Sequence, residues 1–184
     1  MTLPCGDAGP QIAGAVAALL RDVPDFPQPG IVFKDIAPLL ADAKAFGAAI
    51  GALGDHVSGC GPVDLVAGVE ARGFLVAGAL ARDLGCGLVA VRKAGKLPPP
   101  TMRRSYELEY GSAELEVPVG VLDGMRVYLV DDVLATGGTL RAGADLLAQA
   151  GATVTGLGVL LELGFLDGRS RLTGVAPVHA LLRV

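Results

Sequence analysis

Two adjacent carboxylates, Asp131 and Asp132, follow the apolar run 127–130 and lead through Val133 and Leu134 into Ala135, Thr136, Gly137, Gly138 and Thr139. Small residues before and at the start of a helix leave backbone N–H groups unpaired, and the helix dipole favours negative charge there. The two glycines let the backbone approach a ligand closely, and Thr136 and Thr139 add hydroxyl donors. The chemistry this implies is a phosphate held at 135–139. Ionised carboxylates only accept hydrogen bonds, so Asp131 and Asp132, at the C-terminal edge of a strand, suit the hydroxyls of a ribose. A metal centre competes with that reading. No further Asp or His clusters beside the pair, so a dedicated protein cage is disfavoured, although Mg²⁺ could arrive with a substrate. A capping Asp next to a solvated one is the plain structural alternative. No Gly-Lys-Ser/Thr follows, which excludes a Walker P-loop.

Cations form the second constellation. Between Arg72 and Arg104 stand seven Lys or Arg residues and one acid, Asp83, whereas the other eight bases share the chain with 18 acids. In a chain of net charge −4 such a segment points to a local anionic ligand; a general nucleic-acid binder carries a basic footprint. Part of it, 94–105, holds Lys96, a Pro98-Pro99-Pro100 run, Arg103 and Arg104, and almost nothing apolar. A long proline-rich loop inside a compact domain is functional or disordered, and these cations favour a mobile flap that seeks an anion. It leads into 106–110, Gly111 and 113–117, which alternate like a hairpin. His56 and His179 stand alone and read as structural or exposed. No Cys/His spacing suits zinc, and no Gly-x-Ser-x-Gly elbow is present.

The elements that must position these residues alternate in type. The pattern predicts a helix over 11–21, a turn-rich breaker at 25–30, and a second helix capped by Asp42. Short apolar strands are expected at 63–69, 88–91, 125–130, 154–161 and 178–184. Helices 73–84, closed by Gly85, and 140–150, closed by Gly151, lie between them. Strands alternating with helices read as βαβ units and an α/β, mostly parallel sheet. At 184 residues, 52% hydrophobic and 18% charged, the chain suits one domain and is not disordered. Its longest uncharged stretch, 146–161, is too short and too broken by Gln, Thr and Gly to span a bilayer. The first ten residues contain neither a basic residue nor an apolar run, so no secretory signal is expected and 1–10 reads as a loose tail. Cys5, Cys60 and Cys86 are odd in number and far apart, and suggest reduced thiols in a cytoplasmic protein.

The 127–139 element resembles the diphosphate-sugar signature of the type I phosphoribosyltransferases. Four further blocks are similar, in order and spacing, to the adenine phosphoribosyltransferase family: 26–36 (FPQPGIVFKDI), 70–74 (EARGF), 91–98 (VRKAGKLP) and 105–111 (SYELEYG). The resemblance covers about 26–168. It implies the type I phosphoribosyltransferase fold, a mostly parallel twisted sheet flanked by helices, with a flexible hairpin flap (94–117) and a small N-terminal hood. Residues 11–184 would form the single domain. The implied reaction is transfer of phosphoribose from 5-phosphoribosyl diphosphate to adenine, giving AMP and pyrophosphate in purine salvage. By this resemblance Ala135, Thr136, Gly137, Gly138 and Thr139 hold the 5′-phosphate, and Asp131 and Asp132 the ribose hydroxyls. Glu70, Ala71 and Arg72 hold pyrophosphate, with Arg92, Lys93 and Lys96 adding positive charge.

Arg72, Glu109 and Tyr110 would be the catalytic groups. Glu109 and Tyr110 close over the site, and Glu109 serves as general acid/base near the purine N7. Phe33 offers the base an aromatic face while backbone groups of Val32 and Lys34 read its edge. The family usually carries Arg where Lys34 stands, and Arg forks and stacks where Lys is a point charge. Mg²⁺ would be substrate-bound, with no direct protein ligand. The partners implied are adenine, 5-phosphoribosyl diphosphate and a second copy in a homodimer, with Arg72, Arg82 or neighbouring segments near the interface. No nucleic acid or membrane is implied. Two alternatives stay open: another purine base, or a non-catalytic regulator that keeps the acid pair and the loop but has no use for Glu109 and Tyr110.

Overall fold

The computed structural model describes residues 10–107 and 112–184. Helix α1 (Pro10–Ala18) is shorter than the pattern predicts, because Leu19 and Leu20 close it on the Val16 and Ala17 carbonyls. Arg21 instead opens β1 (Arg21–Pro24), which pairs antiparallel with β2 (Val32–Asp35). Two cross-strand ion pairs of opposite polarity join this ribbon, Arg21–Asp35 at 2.6 Å and Lys34–Asp22 at 2.7 Å. It stands apart from the main sheet as the small hood the resemblance implies. The breaker 25–30 lies between its strands. A short helix α2 (Ala37–Ala41), not anticipated, starts where the Asp35 carboxylate accepts the Ala37 N–H. Asp42 caps α3 (Ala43–Gly59) as expected, accepting from the N–H groups of Lys44 and Ala45.

From there the βαβ rhythm takes over. Strand β3 (Leu65–Val69) leads to α4 (Gly73–Leu84), which Gly85 closes in the left-handed region at φ 68°, and on to β4 (Gly87–Lys93). The hairpin β5 (Thr101–Glu107) and β6 (Ser112–Pro118) follows, then β7 (Arg126–Leu134), α5 (Gly138–Gln149), β8 (Thr153–Glu162) and β9 (Val178–Arg183). Two short 3₁₀ segments, Gly164–Leu166 and Gly168–Leu172, precede β9. All five anticipated apolar strands lie parallel in one seven-stranded sheet of order β5-β6-β4-β3-β7-β8-β9, with the hairpin added antiparallel beside β4.

The loop expected over 94–105 is corrected. Only 94–100 is irregular; Thr101 onward is a ladder with Tyr106 opposite Ala113. The proline run ends before the strand begins, so it leaves the ladder intact. Arg103 and Arg104 are engaged as well, with Glu116 (3.2 Å) and Asp145 (2.8 Å).

Side chains of successive strand residues point to opposite faces, so each buried strand feeds two cores. Ala67, Val127, Leu129, Leu157 and Val159 pack on one face with α5 residues such as Leu146 and Leu147. Val66, Tyr128, Val130 and Leu160 pack on the other with α3 and α4. The second face also corrects the reading of isolated histidines. His56 on α3 and His179 on β9 are buried and stacked, ring centroids 4.2 Å apart at 10°. His56 Nδ1 lies 2.8 Å from the Tyr128 hydroxyl. Burial, and then the neighbouring His179, hold the His56 ring at a pKa of about 4.

Candidate active site

The chain runs from β3 outward to β4 and later returns to β7 on the opposite side of β3. That reversal makes the C-terminal ends of β3 and β7 a switch point, where the following loops diverge and leave a crevice. Glu70–Arg72 emerges from one end, and the 135–139 loop from the other. Strand β7 continues to Leu134, so both carboxylates sit inside the ladder rather than beyond it.

Asp131 and Asp132 are both buried, at 9% and 6% exposure. Burial pushes the Asp131 carboxyl well above the usual carboxylate range, and the Asp132 charge beside it pushes the same way. Asp131 Oδ1 accepts the Asp132 N–H at 2.9 Å. The Arg72 guanidinium lies 2.8 Å from Asp132 Oδ2 but not in line for a hydrogen bond, so among the described residues that buried oxygen has no aligned donor. A buried acceptor in that state favours a ligand that brings its own O–H or N–H.

At 135–139 the chain makes the tight entry to α5. Gly137 is its N-cap at φ 80°, a left-handed conformation that a side chain would strain. A small cavity of about 60 Å³ lies inside the turn, lined by Asp131 and residues 133–140. Behind it the turn that includes Gly168 presses so closely that a methyl group at Gly168 would collide with the Ala135 carbonyl.

Two larger clefts flank the acid pair. One, about 310 Å³, is lined by Ile31, Val32, Phe33 and Lys34 from the hood, by Arg72, Asp131 and Asp132, and by Leu163. The Arg72 guanidinium stands 4.9 Å from the centre of the Phe33 ring, and Phe33 and Phe26 meet in a T-shaped contact with centroids 5.2 Å apart. Lys34 does not offer a loose charge to this cleft, because Asp22 holds its ammonium through both carboxylate oxygens at 2.7 and 2.8 Å. The other cleft, about 440 Å³, is lined by Glu70, Ala71, Arg72, Lys93, Tyr106, Asp131, Asp132 and Thr139, among others. Arg72, Asp131 and Asp132 belong to both.

Most of the sequence-predicted site residues therefore converge: Val32, Phe33, Lys34, Glu70, Ala71, Arg72, Lys93, Asp131, Asp132 and 135–139. Arg92 and Lys96 line neither large cleft. Arg92 pairs with Glu70 at 3.3 Å and donates to the Lys96 carbonyl at 3.1 Å. The Lys96 and Leu97 N–H groups donate to the buried Glu116 carboxylate at 2.6 and 2.7 Å. Glu109 and Tyr110 lie outside the described residues. Leu163 and Gly168 escaped the sequence reading. Leu163 follows the last residue of the strand beside β7, so the rule that ligands sit at carboxyl ends of parallel strands could have found it; nothing flagged Gly168. No group of three His, Cys, Asp or Glu suited to a metal occurs among the described residues.

A crevice at the switch point of a parallel sheet, with a carboxylate pair running into a phosphate-type turn, defines a binder of phosphorylated ribose, and the comparisons with known proteins agree. The phosphoribosyl transferase domain family matches residues 40–172. The adenine phosphoribosyltransferase of Mycobacterium avium (strain 104) is 56% identical over 178 residues, 96% of each chain. That of Clavibacter michiganensis subsp. michiganensis is 59% identical over 168 residues, 91% of this chain and 94% of the relative. The crystal structure of the Rhodothermus marinus adenine phosphoribosyltransferase superposes with a TM-score of 0.89 at 43% identity, covering 95% of this chain and 99% of that one. The Saccharomyces cerevisiae enzyme, solved with adenine and an imino-altritol bisphosphate, superposes at 0.88 with 38% identity, covering 93% and 98%. The chain belongs to the phosphoribosyltransferases and, within them, to the adenine phosphoribosyltransferase family.

Proposed function

We propose that this chain transfers the phosphoribosyl group of 5-phosphoribosyl diphosphate to adenine, forming AMP and pyrophosphate. One observation carries the assignment of parts: the hood cleft and the cleft lined by Glu70–Arg72 and Lys93 meet at Arg72, Asp131 and Asp132. A flat base against Phe33 and a sugar diphosphate over Lys93 and Glu70–Arg72 would thus bring their reacting atoms together beside the acid pair. The 135–139 turn takes the 5′-phosphate through unpaired N–H groups and the helix dipole. Asp131 and Asp132 accept from the ribose hydroxyls, and the unaligned Asp132 Oδ2 suits that task.

As the base nitrogen bonds to the anomeric carbon, the C–O bond to pyrophosphate breaks and charge builds on the leaving group. Arg72, held at Asp132, and Lys93, lining the same cleft, meet that charge, with Arg92 behind Glu70. Glu109 handles the proton near the purine N7, and Tyr110 helps exclude water that would hydrolyse the sugar. Two carboxylates without a third ligand fit a Mg²⁺ that arrives on the diphosphate rather than a resident ion. When bound, it would neutralise part of the diphosphate charge.

Residues 11–184 would act as one domain, with 94–117 as its flap. A homodimer accords with the exposed Leu75 on α4 and Leu88 on β4, each more than half exposed. Sedimentation at micromolar concentration should give the dimer mass, and a monomer there would contradict the dimer. A reducing compartment such as the cytoplasm accords with the absence of a disulfide among the described residues; among those residues no helix is long and apolar enough to cross a membrane.

A base panel tests the function. With 5-phosphoribosyl diphosphate and Mg²⁺, adenine should be consumed with the highest kcat/KM and AMP should form. A higher kcat/KM for guanine or hypoxanthine would overturn the choice of base. Binding of the sugar diphosphate with no base consumed would favour the regulator instead.

A further inference from the structure

We propose that the cleft between β5 and α5 is a second anion site, one that takes a phosphate group outside the catalytic clefts. It measures about 310 Å³ and draws Arg104 and Tyr106 from the hairpin, Arg141 and Asp145 from α5, and Arg171 from the turn behind the 135–139 loop. Arg141 and Asp145 are four residues apart and so share a helix face. Three arginines and one carboxylate line it, a local excess of positive charge in a chain of net charge −4.

The carboxylate acts as a hub. Asp145 accepts from Arg104 Nη2 at 2.8 Å and from Arg141 Nε at 3.0 Å, which fixes both guanidiniums across the cleft. Arg141 also donates to the Arg171 carbonyl at 3.2 Å and so ties the turn to the helix. A guanidinium carries five N–H donors, and these bonds use only one or two of each. Among the described residues the Arg171 side chain forms no ion pair. Forked N–H donors from several directions match the oxygens of a phosphate better than those of a monovalent halide. The cleft shares only Gly138 with the small cavity of the 135–139 loop and only Tyr106 with the larger cleft of the acid pair. It is a separate place that touches both the flap strand and the phosphate loop.

Calorimetric titration with inorganic phosphate at low salt tests the site, once with the protein alone and once with it saturated by 5-phosphoribosyl diphosphate and Mg²⁺ without base. A binding component should persist when the catalytic clefts are filled. Arg171→Gln, which breaks no ion pair, should weaken that component at least tenfold with an unchanged melting temperature, and Arg171→Lys should restore part of it. Titration with ADP distinguishes a nucleotide's phosphates from the free ion, and Arg171-dependent binding of either supports the site. Disappearance of the component on filling the clefts, or wild-type phosphate affinity in Arg171→Gln, would overturn it. Should the sugar diphosphate itself fail to bind, the proposed function falls, while the effect of Arg171→Gln on the protein alone still decides the second site.

Discussion

Asp131 bears two opposing demands, since the fold buries its carboxyl beside Asp132 while the proposed chemistry wants it ionised. Its raised pKa has a definite consequence for stability. The folded protein keeps a proton that the unfolded chain releases near the ordinary carboxylate value, so stability falls as pH rises from that value through the raised one. Asp131→Asn should therefore melt higher than the wild type at pH 8 without ligand, and the two should converge below pH 4; equal melting at pH 8 would show that the buried charge costs nothing. The same substitution, made together with Asp132→Asn, should weaken binding of the sugar diphosphate, each lost charge-assisted hydrogen bond being worth about 1.5–3 kcal/mol. Calorimetry showing unchanged affinity in a folded double variant would make the carboxylates structural. The acid pair was legible in the sequence because its neighbours announce a strand and a phosphate turn. The ion pair that ties Lys34 to Asp22 was not, since it depends on the register of a two-stranded ribbon that no local pattern sets.

At the scale of elements, the parallel strands and the helices α3, α4 and α5 could be read directly, because apolar runs, an Asp cap and closing glycines all act locally. The hairpin could not be bounded, because its first strand owes its order to distant partners. Glu116 is the clearest of these: fully buried on β6, it would have its pKa raised by burial, yet the N–H groups of Leu97, Lys96 and Gly95 and then the Arg103 charge bring it down to about 2. Glu116→Gln leaves the cavity filled but removes that charge. Residues 94–100 should then exchange amide hydrogens faster than in the wild type, and unchanged protection would mean that the loop holds without the carboxylate. The stacked pair of His56 on α3 and His179 on β9 sets an acid limit in the same way. With a folded-state pKa of about 4 against an ordinary 6.5, His56 contributes stability that is complete above pH 6.5 and is lost as pH falls toward 4, on the order of 3 kcal/mol. His56→Phe should flatten that acid decline in a denaturant series; a decline as steep as the wild type's would place its origin elsewhere.

Across the whole molecule, the switch point explains why residues 99 positions apart, Phe33 and Asp132, line one cleft: the hood lies against the C-terminal edge of the sheet where the loops after β3 and β7 diverge. The linear order of the blocks hides this closeness, and Leu163 and Gly168 come to the site from a segment that no motif marks. Gly168 matters through close approach, because it lets the turn after β8 pack directly against the phosphate loop. Gly168→Ala should raise KM for the sugar diphosphate through displacement of 135–139. The central claim is that base cleft and phosphate loop form one continuous site joined by Asp131, Asp132 and Arg72. A crystal structure of the AMP complex tests it most directly. The account predicts the 5′-phosphate within hydrogen-bonding distance of the N–H groups at 135–139, the ribose hydroxyls on the acid pair, and the adenine ring against Phe33. AMP bound with its base away from Phe33, or with its phosphate outside the 135–139 turn, would contradict it.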